Sequence, residues 1–496
     1  MTAALQTRFG LRLTSSPVTP GFVRRAVPRS SMTEPRGASC FRIQLRPRAM
    51  NQTLSSDAAP IAAKLATEPV GLLEFARLAG RNMLEVIPAE TLHQTYLRGP
   101  LNIHYLCDPA IITELLVGAG RSFPKAKFTK DIIGSAVGNG LILSEGEKWK
   151  QQRKRYSPLF AARNLPMLAQ HFAETGLEVA ASLAQGEGHV DVTQMAPAST
   201  LTNISRVIFS GNEEVSAAEI RAGLKNYFEY ISSISLFDLM QLPKWIPRRK
   251  WLESKRPVTD MRKLARQVIE NRRAENRPIP LDFLDLMIAA LQEDFEDIET
   301  TVDNLLTFVV AGHETSANAL AWGYYLLALN PDVQGAIRDE IRSINPTDPI
   351  TFENVQEMKL LRAHIRETLR LYPSAAFFAR DAAETLTIKG ITFKKGDALF
   401  FPVYSLHRND QLWDAPDAYK ADRFLNTTYP RGQFIPFGDG PRVCIGAQYA
   451  ETEIMVLMAS VLRNIAFSLS DIPIPRPVLT FTMRPEGPMI LNAKPL

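Results

Sequence analysis

A single cysteine in a glycine-rich segment constrains this chain more than any other feature. Cys444 lies in the run Phe434–Gly446, which contains three glycines and two prolines and precedes a helix-like segment, Ala447–Leu462. Glycines let the backbone bend back and bring N–H groups close to the sulfur. The N-terminus of the following helix adds partial positive charge, and both effects favour a thiolate. A lone thiolate does not suit zinc, which takes about four ligands. It suits one axial bond to a metal that already has four other ligands, as in haem.

The segment resembles the haem-thiolate loop of the cytochrome P450 family. Six of its residues fall on the signature positions of that loop: Phe437, Gly438, Gly440, Arg442, Cys444 and Gly446. The alternative is a buried structural cysteine in a glycine turn, which leaves the residues around it unexplained. The resemblance implies that Cys444 is the axial ligand of haem iron and that Phe437 covers the sulfur. Arg442 can hold an anionic group, and the resemblance makes that group a haem propionate.

A basic helix is predicted over Glu147–Phe160. Trp149 and Arg153 lie four residues apart in it and therefore share a face. In an arbitrary protein this pattern would indicate a solvated charged face anchored by one tryptophan. The spacing resembles the Trp-x-x-x-Arg motif of the family, whose two side chains reach a haem propionate. Arg380 stands where the family commonly has a second propionate-binding arginine.

A long helix is predicted over Glu296–Leu329. Its middle contains the run Ala311-Gly312-His313-Glu314-Thr315, in which the glycine is locally unfavourable. A threonine hydroxyl can bond the carbonyl four residues earlier and bend the helix there. The alternative is a harmless glycine beside a surface His–Glu pair. The run resembles the oxygen-binding groove of the family, lined at Ala311, with Glu314 and Thr315 as an acid–alcohol pair that relays protons.

An ion pair is predicted on the helix Leu361–Leu371, where Glu367 and Arg370 lie three residues apart. A buried pair needs further hydrogen bonds to offset its desolvation, and Arg423 is the candidate third member. The quartet 421–424 resembles the Pro-Glu-Arg-Phe motif of the family, with alanine in place of proline and Asp422 in place of glutamate. The shorter acid affects only the expected geometry of the triad.

The resemblance covers roughly residues 70–496 and implies the cytochrome P450 fold. That fold is mainly α with a smaller β-rich part, and haem b lies between the long helix and the helix after Cys444. Strands are expected in 88–106, in 374–391 and in 398–403, with a final hairpin over Leu479–Leu491. A first helix is expected over Gly71–Met83, and a long loop with apolar side chains over 121–143.

The basic character of the chain comes from its N-terminus. Residues 1–49 carry nine arginines and one acid, a charge of +8, so a net charge of +5 leaves −3 for the rest. Nucleic-acid binding is therefore not expected. The composition of 1–49 matches a mitochondrial transit peptide and equally the translation of sequence upstream of a start at Met32 or Met50. We expect a disordered leader over 1–49 and a P450 domain over 50–496, in the cytoplasm, or in the mitochondrial matrix if the leader is a transit peptide.

Three features that the sequence lacks bear on the type of protein and on the electron-transfer partners that we expect. The sequence has no run of about 18 apolar residues, so no membrane-spanning helix is expected. Its three cysteines offer no disulfide framework and fit a reducing compartment. The chain ends about fifty residues after Cys444, so no fused reductase is expected. These features favour a soluble, monomeric type without a membrane anchor, which receives electrons from NAD(P)H through a ferredoxin reductase and a ferredoxin. The expected docking patch is Lys148, Lys150, Lys154 and Arg155.

The implied activity is insertion of one oxygen atom of O2 into a lipophilic substrate. The candidate pocket residues are apolar or aromatic: Phe128, Ile133, Phe308, Ala311, Phe377 and Phe481. The apolar segment 226–242 is a candidate lid. Two other classes stay open. An oxygen-independent haem-thiolate isomerase or dehydratase should lack Thr315, and a haem-binding sensor would need no open apolar pocket.

Overall fold

Helices dominate the chain, whose structure is a computed structural model that describes residues 59–68, 70–127, 129–130, 134, 137–186, 188–209, 249–275, 282–292 and 298–496. The helices in these residues are α1 (Leu72–Ala79), α2 (Pro109–Thr113), α3 (Gly146–Tyr156), α4 (Leu165–Gln185), α5 (Val192–Phe209), α6 (Arg249–Ala274), α7 (Phe283–Gln292), α8 (Ile298–Leu329), α9 (Pro331–Ile344), α10 (Phe352–Glu357), α11 (Lys359–Leu371), α12 (Val403–Leu406) and α13 (Ala447–Leu462). The expected leader 1–49 lies outside the described residues, as do Phe128, Ile133 and the candidate lid 226–242.

Small sheets accompany the helices. The strands are β1 (Tyr96–Arg98), β2 (Ile103–Leu106), β3 (His189–Asp191), β4 (Phe378–Asp381), β5 (Leu386–Ile388), β6 (Ile391–Phe393), β7 (Ala398–Phe401), β8 (Ile465–Leu469), β9 (Pro477–Leu479), β10 (Met483–Pro485) and β11 (Ile490–Pro495). One sheet has the order β1-β2-β7-β4, with β2 and β7 parallel and the other pairs antiparallel. A second has the order β3-β11-β8, and β5/β6 and β9/β10 form antiparallel pairs. The expected fold class, mainly α with a smaller β part, is confirmed.

The long helix α8 organises the core. It runs for 32 residues, and buried side chains occur on all its faces. A helix that is apolar all round is buried, and α8 accordingly packs against α5, α6, α11, α13 and β8. The prediction of one long helix is confirmed from Ile298 onward, since Glu296 and Asp297 lie outside the described residues. No described helix is both long and apolar enough to cross a bilayer.

The helix after the cysteine was predicted with its observed bounds. It is α13, whose last eleven residues are all buried and which packs against α4, α8 and α11. Its N-terminus follows Gly446, so the segment that carries Cys444 is joined directly to this buried helix. This arrangement places the cysteine at the end of a rigid element.

Several predicted elements differ from the structure. The expected long loop over 121–143 includes helical residues, since Lys127, Thr129, Lys130, Gly134 and Val137 are helical. The basic helix ends at Tyr156, because Pro158 has no N–H to continue it, and a 3₁₀ turn follows over Ser157–Phe160. The first helix ends at Ala79 and not at Met83, with Gly80 at its end. The expected hairpin over Leu479–Leu491 is in fact the shorter pair β9/β10, while β11 joins β3 and β8 instead.

Candidate functional site

A cavity of about 470 Å³ lies between α8 and the segment before α13. This volume falls within the range of small-molecule sites. The predicted site residues that line it are Trp149, Arg153, Ala311, Thr315, Arg380, Phe437, Arg442 and Cys444. The predicted pocket residues Phe308, Phe377 and Phe481 also line it. The structure therefore brings together residues as far apart in the sequence as Trp149 and Phe481.

The turn before Cys444 depends on two glycines. Gly438 and Gly440 have φ angles of +75° and +71°, in the left-handed region that favours glycine. A Cβ on Gly440 would also overlap the carbonyl oxygen of Leu116. With this geometry the backbone folds back, and the N–H of Cys444 donates to the carbonyl of Phe437 at 2.9 Å. The thiol is thereby held at the cavity wall.

The groups around the Cys444 thiol shift its pKa in opposite directions. Its side chain is exposed, and the space it faces is the cavity. Surrounding protein atoms take the place of bulk water, and this burial raises the pKa of the Cys444 thiol, while the N–H of Gly446 and the charge of Arg153 lower it. The prediction that nearby N–H groups lower the pKa of the thiol was right for the N–H of Gly446 and wrong for the net direction, because burial outweighs it, and the effect of Arg153 was not predicted. Binding to a metal deprotonates a thiol in any case.

Trp149 and Arg153, which were predicted to reach a haem propionate, both line the cavity and have different protein partners. Arg153 donates from Nη1 to the carbonyl of Val443 at 2.9 Å and so holds the residue before the cysteine. The ring of Trp149 instead lies against the guanidinium of Arg442. Both residues of α3 therefore contact the cysteine segment, each through a different group.

Cations gather at one end of the cavity. Arg380 donates only to the carbonyl of its neighbour Ala379, at 3.3 Å, among the described contacts. Burial and, less strongly, the charge of Arg442 lower the pKa of Arg380 to about 10, against the effect of Glu145. Sequence reasoning missed Lys125, which also lines the cavity. Burial, followed by the charges of Arg380 and Arg442, lowers the pKa of Lys125 to about 7.

Glu145 is the acid among these cations. It pairs with Arg442, accepts from the backbone N–H of Lys125 at 3.0 Å and lies 3.5 Å from Lys130. One carboxylate thus faces several cationic side chains, of which Arg380 has no carboxylate in hydrogen-bond contact within the described residues. Such a set suits a ligand that brings its own anionic groups.

These residues fit haem b. The cavity has a thiol at its wall, cations at one end for two propionates, and apolar side chains over the rest of its surface. Outside this site, no group of three or more metal-binding side chains is found in the described ranges. A single thiolate ligand and a cationic end match one axial bond to a tetrapyrrole iron better than a metal ion held by protein side chains alone.

The middle of α8 forms the wall beside the apolar pocket. The hydroxyl of Thr315 donates to the carbonyl of Ala311 at 2.6 Å, the bond to the preceding turn that threonine can make inside a helix. The carbonyl of Thr315 in turn accepts from the hydroxyl of Ser374 at 2.7 Å. A Cβ on Gly312 would meet only Ile204, at an ordinary 3.6 Å, so the glycine leaves open space in the groove.

Glu314 does not line the cavity with Thr315. Adjacent residues of a helix point about 100° apart, and the carboxyl of Glu314 is directed to Thr482 and Arg484. Burial raises the pKa of Glu314, while a hydrogen bond from Thr482 and the charge of Arg484 lower it. Thr482 lines the cavity and accepts from Asn318 at 2.9 Å. Of the predicted acid–alcohol pair, Thr315 therefore contacts the cavity directly, whereas Glu314 contacts it only through Thr482.

The ion triad predicted from Glu367 is present and buried. Arg370 binds the carboxylate of Glu367 through two bonds of 2.8 Å, and Arg423 donates to it at 3.2 Å. Arg370 also donates to the carbonyl of His407, and Nε2 of His407 accepts from the N–H of Ile435 at 3.0 Å. The triad is thus connected to the chain just before the cysteine segment, and the departures at 421 and 422 do not disturb it.

The expected docking patch lies on α3. Lys148, Lys150 and Lys154 are exposed, and Lys150 pairs with Glu147. Arg155 is only half-buried and has a partner in the structure. The same helix carries Trp149 and Arg153, so its two faces contact solvent and the cavity respectively.

Comparisons with known proteins agree with this geometry. The family model for cytochrome P450 matches residues 93–492. A cytokinin hydroxylase of Arabidopsis thaliana is 27% identical over 406 residues, which cover 79% of this chain and 78% of the relative. A lithocholate 6-beta-hydroxylase of Mesocricetus auratus is 29% identical over 437 residues, with 79% and 83% covered. Cytochrome P450 3A12 of Canis lupus familiaris is 27% identical over 415 residues, with 79% and 82% covered.

One expectation about the type of protein is corrected. The sequence predicted a soluble type without a membrane anchor or a fused reductase. That classification was wrong, because the matches to plant and mammalian relatives assign the family without assigning a soluble type. Residues 1–58, on which the prediction partly depended, lie outside the described residues.

Proposed function

This chain belongs to the cytochrome P450 family, and from that premise we propose that it inserts one oxygen atom of O2 into a lipophilic substrate with electrons from a separate donor protein. The observation that carries the proposal is the placement of Cys444 and Thr315 on one cavity with apolar walls. A thiol at the cavity wall supports a haem-thiolate site, and a hydroxyl on α8 supports proton delivery to oxygen. Relatives that are named hydroxylases support the same reaction class.

In this proposal the residues around the cysteine bind and orient haem b. Cys444 would ligate the haem iron, and Phe437 would cover the sulfur. Arg442, Arg380 and Arg153 would neutralise the propionates, with the ring of Trp149 holding Arg442 in place. When bound, the haem activates oxygen and accepts the electrons. The protein supplies the orientation, the charge and the exclusion of water.

Protons reach the cavity from the α8 side. Thr315 holds a water at the groove with its hydroxyl, whose own proton is directed to Ala311. Glu314, whose pKa is raised by burial, exchanges protons with the cavity through Thr482. We therefore assign both Thr315 and Glu314 to proton transfer. Thr315 acts at the cavity itself, and Glu314 acts from a neighbouring face of α8.

The substrate is a lipophile that fits between aromatic walls. Phe308, Phe377 and Phe481 line the cavity, together with Ala311. These side chains offer apolar contact and no charge, so binding is driven by removal of apolar surface from water. The two relatives named for their substrates differ, since one acts on cytokinin and the other on lithocholate, and neither name is carried over.

The electron donor docks on α3. Lys148, Lys150 and Lys154 are exposed there, and Trp149 and Arg153 of the same helix line the cavity. An acidic donor such as a ferredoxin, reduced by an NAD(P)H-dependent ferredoxin reductase, would therefore dock close to the haem. Charge complementarity of this kind mainly raises the association rate.

The test uses the purified full-length chain loaded with haem. It is first screened for substrate-induced spectral shifts against a library of fatty acids, terpenoids and aromatic compounds. Bound compounds are then turned over with ferredoxin, ferredoxin reductase and NADPH under ¹⁸O₂, and we expect one labelled oxygen atom in the product. Product that forms without any electron donor would instead indicate the isomerase or dehydratase class. Labelled product with none of the donor proteins present would contradict the separate-donor part alone.

A further inference from the structure

The loop 138–143 forms part of the wall between the cavity and solvent, and we call it the wall loop. It precedes α3 in the sequence. Leu141 and Ile142 line the cavity, whereas Asn139 is exposed on the outer side. The position of the wall loop therefore sets how much room a ligand has on this side of the cavity.

Two side chains of α8 hold the backbone of the wall loop. Oδ2 of Asp303 accepts from the N–H of Asn139 at 2.8 Å, and Oδ1 of Asn304 accepts from the N–H of Leu141 at 2.8 Å. Gly138 has a φ angle of +60°, and a Cβ there would overlap the carboxylate of Asp303. The wall loop thus approaches α8 as closely as a glycine allows and is attached to it by two hydrogen bonds.

Asp303 differs from Asn304 in its charge, which is paired by a residue of α6. Nη1 of Arg262 lies 2.8 Å from Oδ1 of Asp303, and Nη2 of Arg262 donates to Glu299 at 2.9 Å. The side chain of Asp303 is only 11% exposed, and a largely buried carboxylate is costly unless it is paired. Because the carboxylate that Arg262 pairs also accepts from the wall loop, the position of the loop depends on α6.

We propose that the Arg262–Asp303 pair positions the wall loop and thereby limits the size of the ligand that the cavity accepts. Asp303 does not line the cavity, so it is a positioning residue that acts through Leu141 and Ile142. With the pair intact, the cavity favours a slim lipophile. With the pair broken, the wall loop moves outwards more often and a bulkier ligand enters. The inference rests on the proposed function only in that the ligand binds beside the haem.

The wall loop has other attachments that do not involve Asp303. Gln152 of α3 donates to the carbonyl of Asn139 at 3.3 Å, and Lys125 donates to the carbonyl of Ile142. These bonds remain when Asp303 is replaced, so the loop should loosen at α8 while it stays attached to α3. A change in ligand size is therefore expected without general unfolding.

The first experiment measures hydrogen exchange in the haem-loaded full-length chain, by mass spectrometry of peptides that cover the wall loop. Asp303→Ala removes both the acceptor and the charge, and exchange should be faster by roughly 10- to 100-fold, the size expected for a lost hydrogen bond to a charged group. Asp303→Asn keeps an oxygen for the N–H of Asn139 and should have a smaller effect. Arg262→Lys keeps the positive charge and should remain close to the wild type.

The second experiment compares a small and a bulky ligand of the haem iron, imidazole and clotrimazole, by the shift of the Soret band. A ligand that needs the loosened loop binds more tightly in proportion to the population of that state. Asp303→Ala and Arg262→Ala should therefore lower the ratio of the clotrimazole Kd to the imidazole Kd on the order of tenfold. The imidazole Kd itself should hardly change, because imidazole fits with the loop in place.

Arg256→Ala is the matched control. Arg256 lies on α6 as well, and its pair with Asp260, at 3.9 Å, lies within that helix and is largely exposed. Its replacement should change neither exchange nor the ratio of Kd values. If Asp303→Ala does not take up haem, Asp303→Asn and Arg262→Ala provide the same comparison. Unchanged exchange of the wall loop in these variants, or the same ratio for Arg256→Ala and Arg262→Ala, would overturn the proposal.

Turnover separates this inference from the proposed function. A lowered ratio of Kd values in Arg262→Ala, in a chain that forms no oxygenated product with any electron donor, would contradict the proposed function and leave the role of the pair standing. An active monooxygenase whose ratio is the same in wild type, Asp303→Ala and Arg262→Ala would overturn the limit on ligand size, while the proposed function would stand.

Discussion

The guanidinium carbon of Arg442 lies 4.0 Å from the centre of the Trp149 ring. Arg442 belongs to the cysteine segment and Trp149 to α3, so this contact joins the two elements that border one end of the cavity. Arg442 also donates to the carbonyl of Ser144 at 2.7 Å and pairs with Glu145. Its guanidinium is thereby fixed from three sides before any ligand carboxylate is bound.

Removing the Trp149 ring should therefore loosen the binding of haem. A cation over an indole ring is worth about 0.5–2 kcal/mol, so Trp149→Leu should speed haem loss by roughly 2- to 30-fold. The measurement is haem transfer from the loaded protein to excess apomyoglobin. Trp149→Phe keeps an aromatic face under Arg442 and should have a smaller effect. Equal rates in the two variants would show that the ring itself contributes nothing.

Cys444→Ser should abolish the red-shifted Soret band of the ferrous–CO complex, because a serine hydroxyl does not replace a thiolate as axial ligand. Cys107→Ser is the matched control: Cys107 is 1% exposed and lies away from the cavity wall. It should keep the band, although its buried hydroxyl lowers stability by about 1–3 kcal/mol. A band that persists in Cys444→Ser would refute the assignment of the ligand.

Local patterns in the sequence predicted much of this site. The glycines before Cys444 and the apolar run of α8 are local signals, so the turn and the helix follow from them, whereas Trp149, Arg153 and Arg380 were predicted only through the resemblance to the family. Lys125 was missed because the two cations beside it, Arg380 and Arg442, are distant in the sequence and nothing near Lys125 indicates them. Glu314 was paired with Thr315 because the two are adjacent in sequence, whereas adjacent residues of a helix point in different directions.

Charge reversal on α3 should slow reduction by an acidic donor. Lys150→Glu with Lys154→Glu is expected to reduce the association rate on the order of tenfold at low salt, and less at high salt because ions screen exposed charges. Stopped-flow reduction by ferredoxin at two ionic strengths measures this. Lys394→Glu with Lys395→Glu makes the same charge change at another exposed site and should leave the rate unchanged. Equal rates at low salt for both double variants would place the docking site elsewhere.

Acid should weaken the fold through His407. Burial, followed by the charges of Arg370 and Arg408, lowers its pKa from 6.5 to about 3, and its Nε2 accepts from the N–H of Ile435. Because the folded pKa is the lower one, the unfolded chain takes up the proton first as the pH falls. The contribution is full above about pH 6.5 and declines towards pH 3, which amounts to about 2 kcal/mol between pH 7 and pH 5.

His407→Gln tests this contribution. The amide oxygen can accept from Ile435 but does not titrate, so the variant should lose less stability than the wild type between pH 7 and pH 5. Urea unfolding at pH 7, 6 and 5 gives the two slopes. The variant should keep part of the slope, because it retains His313 and His364, whose pKa values are lowered to about 4 and about 3 by burial and which act in the same direction. Identical slopes would mean that His407 is not held neutral by the fold.

Thr315 is expected to decide whether the oxygen that is consumed enters the product or is only reduced to hydrogen peroxide. Its hydroxyl proton is directed to the carbonyl of Ala311 at 2.6 Å, so its oxygen can accept from a water in the groove and orient that water towards the cavity. Thr315→Val keeps the volume and removes the hydroxyl, and NAD(P)H should still be consumed. We expect more hydrogen peroxide and less product, with coupling reduced by about tenfold or more, because a positioned proton donor typically contributes at least that much. Thr315→Ser restores the hydroxyl and should restore coupling, which a structural role of the threonine methyl group would not predict. If Val, Ser and wild type share one ratio of product to NAD(P)H, the proton must reach the cavity by another route.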